Sequence, residues 1–408
     1  MNNPREFSLV TAAYWCFTLT DGALRMLVLL HFHQLGFSPV NIAFLFLLYE
    51  FFGIITNLFG GWIGSRVGLK FTLYAGLATQ IVALLLLSML NTDWALGFSV
   101  AYVMGAQALS GIAKDLTKMS SKSAVKLLAP DDSQSRLFKW VALLTGSKNA
   151  LKGLGFFLGA VLLTHFGFQQ ALWAMAGALG VTLLAALLFI RRDMGKTKGK
   201  AKFVHLLSKS HEINVLSAAR FFLFGARDVW FVVGLPIFLS DVLGWTFNQV
   251  GGFLAIWVIG YGFVQVAAPK IIRGEIGLGT GARAARAWSV ILAIIPLFIA
   301  YSVQTDTYPA VAVVGGLALF GAVFAMNSSL HSYLILAFSD SDQVALNVGF
   351  YYMANAMGRL VGTLLSGLLY LQFGLAGCLW TSAGMLMAAA ILTFILPVRK
   401  KTVEPATS

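Results

Sequence analysis

The chain has 408 residues, of which 58% are hydrophobic and only 11% are charged, whereas an ordinary soluble domain is about 25% charged. Its mean hydropathy is +0.81, and apolar runs of about 20 residues, each sufficient to cross a bilayer core, recur along it. This composition excludes a soluble fold and predicts an all-α polytopic membrane protein, because lipid leaves no partner for unpaired backbone groups. The expected partner of such a chain is membrane lipid. Its net charge of +13 is expected to orient the protein in the membrane and not to bind nucleic acid.

Twelve transmembrane helices are predicted, separated by turn-rich breaks such as LGFSPVN, NTDWALG and HFGFQQ. The N-terminal stretch MNNPREFSL lacks the features of a cleaved signal peptide, so the first span is expected to be retained. The predicted spans are 9–32, 40–63, 72–90, 95–113, 138–163, 171–190, 213–239, 248–269, 287–303, 309–336, 344–371 and 374–396.

Basic residues predict both the orientation and the division of the chain. With the N-terminus inside, cytoplasmic segments hold 23 of the 29 Lys and Arg residues and the outer loops hold none, so both termini are predicted to be cytoplasmic. A basic linker over 191–212 separates an N-terminal six-helix half, 1–190, from a C-terminal half, 213–408. A second basic segment, 114–139, is interpreted as ordinary positive-inside charge, with an amphipathic helix on an anionic leaflet as the alternative.

This layout of two six-helix halves around a long basic loop resembles the major facilitator superfamily. That family often carries a Gly-x-x-x-Asp-Arg-x-Gly-Arg-Lys pattern between spans two and three, and this chain has GWIGSRVGLK there. Ser65 replaces the acidic residue and Leu69 replaces a basic one, so the charge relay of the family does not carry over. The resemblance implies a gating loop at the matching positions, which are Gly61, Arg66, Gly68 and Lys70.

Four longer stretches are similar to ArsJ-type organoarsenical efflux permeases: YWCFTLTDGALRMLVLLHFHQLGFSP, AQALSGIAKDLTKMSSKSAVKLL, LTGSKNALKGLGFFLGA and SAARFFLFGARDVWFVVGLP. The resemblance implies export of 1-arseno-3-phosphoglycerate, which forms when glyceraldehyde-3-phosphate dehydrogenase accepts arsenate in place of phosphate. It therefore also implies a functional link to that dehydrogenase, arsenate resistance, and a place in the bacterial inner membrane.

Nine charged residues fall inside the predicted spans, away from the span ends. A charge at the bilayer centre costs at least about 2.5–3.5 kcal/mol, so these residues are expected to face a wet cavity, one another or a ligand. They occur in spans one, two, five, seven and eleven, and most lie near the midplane, where transporter sites form between the halves. The nine are Asp21, Arg25, Glu50, Lys148, Lys152, Arg220, Arg227, Asp228 and Arg359.

Helical spacing places several of these side chains on shared faces. Lys148 and Lys152 are four residues apart, and Arg220 and Arg227 lie seven apart along one face. Small residues in GLGFFLGA and GRLVG are expected to allow close helix packing. Six bases against three acids favour a polyvalent organic anion, because guanidinium groups bind phosphoryl-type oxygens bidentately. The predicted substrate-binding residues are Arg25, Lys148, Lys152, Arg220, Arg227, Tyr351, Asn355 and Arg359.

The acidic residues are predicted to couple protons or to form ion pairs. Asp21 and Arg25 could simply be an internal pair, and Arg227 and Asp228 are expected to find partners on other helices. Glu50 is the favoured proton carrier of the three, with a packing role near Asn57 as the alternative. His331 and Asn327 are a further pair that could line the cavity.

No catalytic, cofactor or metal site is predicted, because the histidines are scattered and Cys16 and Cys378 lie far apart in the sequence. The ten tryptophans and most phenylalanines are expected to face lipid or the interface.

The favoured function is a secondary carrier that exports an anionic organoarsenical or organophosphate by alternating access, with proton antiport predicted. A sugar-phosphate or phosphoglycerate exchanger would use the same cations and stays open. A cationic-drug/proton antiporter is disfavoured by the basic cavity. A membrane-embedded enzyme is disfavoured because no Ser-His or Cys-His arrangement appears.

Overall fold

The computed structural model describes residues 4–67, 69–91, 93–126, 134–190, 210–271, 278–339 and 344–396. These residues form α-helices joined by short connections, as expected for a chain whose backbone must be satisfied within lipid. The helices are α1 Pro4–Gln34, α2 Pro39–Leu45, α3 Leu47–Val67, α4 Leu69–Ser88, α5 Leu96–Lys126, α6 Gln134–Phe189, α7 His211–Phe231, α8 Gly234–Asp241, α9 Phe247–Ile271, α10 Leu278–Gln304, α11 Pro309–Ala337 and α12 Val344–Ile395.

Ten helical segments of the described chain are long and apolar enough to cross a membrane. Two of them, Gly146–Phe189 and Asn347–Ile395, hold 44 and 49 residues, about twice what one crossing requires. Each is broken by a glycine with positive φ, Gly167 in α6 and Gly374 in α12. We therefore count two crossings in each, α6a and α6b, then α12a and α12b, which gives the twelve transmembrane helices that the sequence predicted.

Positive-φ glycines repeat between the two halves of the bundle. Gly36 and Gly244 follow the first long segment of each half, and Gly167 and Gly374 follow the fifth crossing. The members of these pairs are 208 and 207 residues apart. Because only glycine adopts this backbone region freely, the matched turns mark a pseudo-symmetric relation between α1–α6 and α7–α12.

Close backbone contacts join the first and fifth crossings of each half. A Cβ added at Gly22 of α1 would lie 2.5 Å from the Lys152 carbonyl oxygen in α6a, and one added at Gly362 of α12a would lie 2.6 Å from the Gly225 carbonyl oxygen in α7. Glycine therefore permits both contacts. The close packing predicted from GLGFFLGA and GRLVG is confirmed.

Close packing of α6a and of α12a against the opposite half brings the two halves together. α6a packs along α9, where a Cβ at Gly262 would lie 2.6 Å from the Gly146 carbonyl oxygen. α12a packs along α2 and α3, where Gly367 approaches the Pro39 carbonyl oxygen in the same way. The charged side chains near the middle of these helices are thereby brought to one central space.

The structure revises one predicted boundary and leaves others as predictions. α5 continues beyond residue 113 to Lys126, and its membrane-capable segment ends at Lys118. The first part of the basic segment 114–139 is therefore a continuation of the fourth span and not a loop. The linker 191–212 lies almost wholly outside the described residues, and the exact division into halves stays a prediction. Of the predicted gating loop, Gly68 lies outside the described residues, and Gly61 and Arg66 are described only as backbone of α3. The ammonium of Lys70 lies 5.8 Å from the ring centroid of Tyr74.

Candidate functional site: a cationic cavity between the halves

A cavity of about 210 Å³ lies between the two halves of the bundle. Its walls come from α1, α3, α5 and α6a on one side and from α7, α9, α11 and α12a on the other. The charged residues that line it are Asp21, Arg25, Glu50, Lys114, Asp115, Lys118, Lys148, Lys152, Arg220, Arg227, Asp228 and Arg359.

All nine intramembrane charges singled out in the sequence line this cavity. Asn355 joins them, as predicted from the polar stripe that Asn347, Tyr351, Asn355 and Arg359 form at four-residue steps in the sequence. Tyr351 does not: it is fully buried and packs beside Arg220, whose guanidinium carbon lies 5.0 Å from the ring centroid. The neighbouring Tyr352 lines the cavity instead. The four-residue register of the predicted stripe placed the tyrosine one position too early.

Three further charged residues of the cavity were missed in the sequence because the fourth span was predicted to end at residue 113. Asp115 accepts hydrogen bonds from the Thr56 hydroxyl at 2.6 Å and the Asn57 amide at 3.5 Å. Lys118 donates to the Asn57 side-chain oxygen at 2.8 Å, and the Lys114 ammonium lies 3.9 Å from the ring centroid of Tyr49. Four-residue spacing of the lysines was the available signal.

One ion pair joins α1 to α6a within the N-terminal half. The Lys152 ammonium lies 3.6 Å from Oδ2 of Asp21, and the Tyr49 hydroxyl donates to Oδ1 of the same carboxylate at 2.6 Å. The expected internal pair of Asp21 with Arg25 does not form. The two charges share a helix face, but Arg25 bonds to a different carboxylate on α3.

Glu50 is the centre of a second network, which crosses between the halves. It is fully buried, with none of its side chain exposed. Its Oε1 accepts from Nη1 of Arg25 at 3.2 Å and also from Nη2 of Arg359 on α12a. Nε of Arg359 in turn lies 3.1 Å from Oδ2 of Asp228, whose Oδ1 pairs with Arg227 at 2.5 Å. The expectation that each of these neighbours finds a partner on another helix is confirmed for Asp228, which pairs with Arg359 of α12a, whereas Arg227 bonds to Asp228 itself.

Arg220 is held by neutral oxygens. Its Nε donates to Oδ1 of Asn355 at 2.9 Å, and its Nη1 donates to the hydroxyl of Ser328 at 3.0 Å. A hydrogen-bonded chain from α6a to α9 links Asn149 to Gln265 at 2.7 Å, and Gln265 to the Tyr261 hydroxyl at 2.8 Å. These neutral acceptors fix the guanidinium of Arg220 in place without neutralising its positive charge.

Aromatic rings form much of the C-terminal side of the cavity. Phe224, Phe231, Trp257 and Tyr261 line it, together with Phe156 at the edge of the other half. The prediction that tryptophans and phenylalanines mostly face lipid or the interface therefore fails for these residues. His331 and Asn327 are fully buried in α11 and are not part of the lining, so the suggestion that they line the cavity is wrong.

The overall charge of the cavity is strongly positive. Eight basic and four acidic side chains line it within the described residues, which leaves a formal charge of +4. Opposite charges attract far more strongly in a partly dehydrated space than in bulk water, so the cavity is suited to an anion. Among the described residues, no group of three His, Cys, Asp or Glu side chains could hold a metal ion.

Comparison with known proteins agrees with this architecture. The family model described as the Major Facilitator Superfamily matches residues 10–335. Two solved structures share the fold at a TM-score of 0.68 and 16% identity, with 96% of this chain and 100% of theirs covered: the human organic anion transporter MFSD10 (TETRAN) and a bacterial homologue of the iron transporter ferroportin in an outward-facing state. Similarity at this identity shows the fold alone.

A curated relative matches over a shorter stretch. A Na(+), Li(+), K(+)/H(+) antiporter from Planococcus maritimus is 27% identical over 128 residues, which is 31% of this chain and 29% of the relative.

The family match and the apolar helices identify a multi-pass membrane transporter. Since the family model covers most of its length, the chain belongs to the major facilitator superfamily.

Proposed function

We propose that the protein is a secondary active carrier that exports a polyvalent organic anion by alternating access. The observation that carries this proposal is the +4 formal charge of a cavity whose walls come from both halves. A site between two halves that rock about it is the arrangement that alternating access requires. The predicted orientation, with both termini on the cytoplasmic side of a bacterial inner membrane, is part of the proposal.

The specific substrate that we propose is 1-arseno-3-phosphoglycerate, which would make the carrier an arsenate-resistance protein linked to glyceraldehyde-3-phosphate dehydrogenase. Supporting this are the sequence resemblance to ArsJ-type permeases and the chemistry of the cavity. Arginine binds arsenate and phosphate oxygens bidentately, and lysine adds mobile positive charge. Lysines line the α5 and α6a side, and Arg220 and Arg227 line the α7 side, so two anionic groups could be held at once.

The test is transport into everted membrane vesicles, whose interior corresponds to the outside of the cell. The substrate is generated in place from arsenate, glyceraldehyde 3-phosphate, the dehydrogenase and NAD, and vesicle arsenic is measured. We expect accumulation that requires every component and falls at least about tenfold in Lys148→Ala and in Arg220→Gln. Lys270→Ala, which removes an exposed cation outside the cavity lining, is the matched control.

The second candidate is a sugar-phosphate or phosphoglycerate exchanger, which the same cations would serve. Vesicles that accumulate no arsenic but exchange labelled phosphoglycerate would replace the first candidate with this one. Accumulation of arsenic that persists in both cavity variants would contradict the role given to the cations.

A further inference from the structure

Five aromatic residues that line the cavity are linked, together with Phe324, in one series of ring contacts. Ring centroids are 6.1 Å apart between Phe156 and Phe231, 5.0 Å between Phe231 and Trp257, and 5.9 Å between Trp257 and Tyr261, whose rings are parallel within 1°. Phe324 continues the series at 5.7 Å from Tyr261 and 5.2 Å from Phe224. All of these residues except Phe324 line the cavity. We call the five lining residues, Phe156, Phe224, Phe231, Trp257 and Tyr261, the aromatic wall.

Arginines lie directly beside the aromatic wall. The Arg220 guanidinium carbon is 3.9 Å from the ring centroid of Phe224, and that of Arg227 is 4.8 Å from the same ring and 5.9 Å from Phe231. Such cation–π contacts hold each guanidinium over a ring. The N–H groups that are not already bonded to Asn355, Ser328 or Asp228 are left for a ligand. An oxyanion bound to these arginines would therefore have ring surfaces immediately next to it.

The opposite side of the cavity has a different character. Lys114, Lys118, Lys148 and Asn57 line it beside Tyr14 and Phe17 of α1, so groups that offer charge and hydrogen bonds predominate there. A small, fully hydrophilic anion would use the lysines and arginines but would leave the aromatic wall without a partner. Apolar surface in a binding site contributes to affinity only when an apolar part of the ligand covers it.

We propose that the cavity binds a second class of ligand, namely aryl oxyanions such as arylphosphonates and arylarsonates. The oxyanion would bind Arg220 and Arg227, and the aryl ring would pack on Phe231 and Trp257 of the aromatic wall. Stacked or edge-to-face aromatic pairs gain about 0.5–1.5 kcal/mol beyond the burial of their area. The inference rests on the proposed function only in requiring that the cavity bind organic anions.

The experiment measures calorimetric Kd values for three phosphonates with the purified full-length chain in detergent. Phenylphosphonate, cyclohexylphosphonate and methylphosphonate carry the same anionic group and differ only in the attached carbon skeleton. We expect phenylphosphonate to bind about tenfold more tightly than methylphosphonate and more tightly than cyclohexylphosphonate. Phe231→Leu should reduce the phenyl-to-methyl ratio towards one, and Phe156→Leu should reduce it less, since Phe156 lies at the edge of the wall.

Phe157→Leu is the matched control. Phe157 follows Phe156 on the same helix but is 44% exposed on the outer surface of the bundle, so its replacement should leave the ratio unchanged. Its result also separates a lost ring contact from a general loss of packing in α6a. If Phe231→Leu does not fold, Phe156→Leu supplies the test.

Each remaining outcome has a definite meaning. Equal Kd values for phenyl- and methylphosphonate would overturn the inference and leave the anion site of the proposed function intact. Equal Kd values for phenyl- and cyclohexylphosphonate would mean that the aromatic wall binds any apolar ring, and would overturn the preference for aryl groups. A phenyl preference that survives both leucine variants would overturn the assignment to these rings. Failure of all three phosphonates to bind would contradict the oxyanion site itself and, with it, the proposed function.

Discussion

Two ion pairs of this carrier occupy equivalent positions in its two halves. Asp21 and Asp228 are 207 residues apart, as are Lys152 and Arg359, and the same separation relates Gly167 to Gly374. Each pair joins the first crossing of its half to the fifth. The two pairs have the same position in their halves but differ in the cation, which is lysine in the first and arginine in the second. This difference changes what each pair connects.

The lysine pair stays within its half, whereas the arginine pair reaches across. Lys152 presents one ammonium, 3.6 Å from Asp21. Arg359 uses Nε for Asp228 and Nη2 for Glu50, because a guanidinium presents several donors in a fixed fork. Arginine in place of lysine at this position therefore turns an ion pair within one half into a link between the halves. In the alternating-access cycle that we propose, rocking of the halves must then break or rearrange the Glu50–Arg359 bond.

Removing the charge of Glu50 should have the largest effect. In Glu50→Gln, Arg25 and Arg359 would face each other with no carboxylate between them, and losing one partner of a buried ion pair costs about 3–5 kcal/mol. We expect substrate transport in vesicles to fall at least about hundredfold, with a lower thermal midpoint for the purified protein. Asp93→Asn, in an exposed turn, is the control. Near-normal transport in Glu50→Gln would show that the link between the halves is dispensable.

Exchanging the two cations tests the comparison itself. Arg359→Lys should reduce transport about tenfold, because a single ammonium cannot reproduce the two directed bonds to Asp228 and Glu50. Lys152→Arg should change transport less than about threefold, because Asp21 accepts either cation. Transport rates of the two variants are compared at equal protein in the membrane. Equal losses of transport in the two variants would mean that the two ion pairs are equivalent and that the several donors of the Arg359 guanidinium have no special role.

The fold was predictable because its signals are local. Apolar runs and basic loops predicted the twelve crossings. The charges inside the predicted spans identified nine of the twelve charged residues that line the cavity. The three that were missed lie on α5 beyond residue 113, where frequent charges ended the apolar pattern although the helix continues. Partners could not be predicted, because Arg25 shares a helix face with Asp21 yet bonds to Glu50, and that choice depends on how α1 meets α3.

The smallest effect is expected at the far end of α1, where His33 bonds to Asp241 of α8 at 2.8 Å. This contact also joins the two halves, but the Asp241 side chain is 51% exposed, so water competes for both groups and the pair is worth about 0–1 kcal/mol. Asp241→Asn should therefore change vesicle transport less than about twofold, whereas Glu50→Gln nearly abolishes it. A large loss in Asp241→Asn would show that any contact between the halves limits the rate, and the particular importance given to the buried Glu50–Arg359 bond would be lost. A small loss of transport, measured beside Glu50→Gln and Arg359→Lys, would instead mean that the important contact between the halves is the buried one in the cavity.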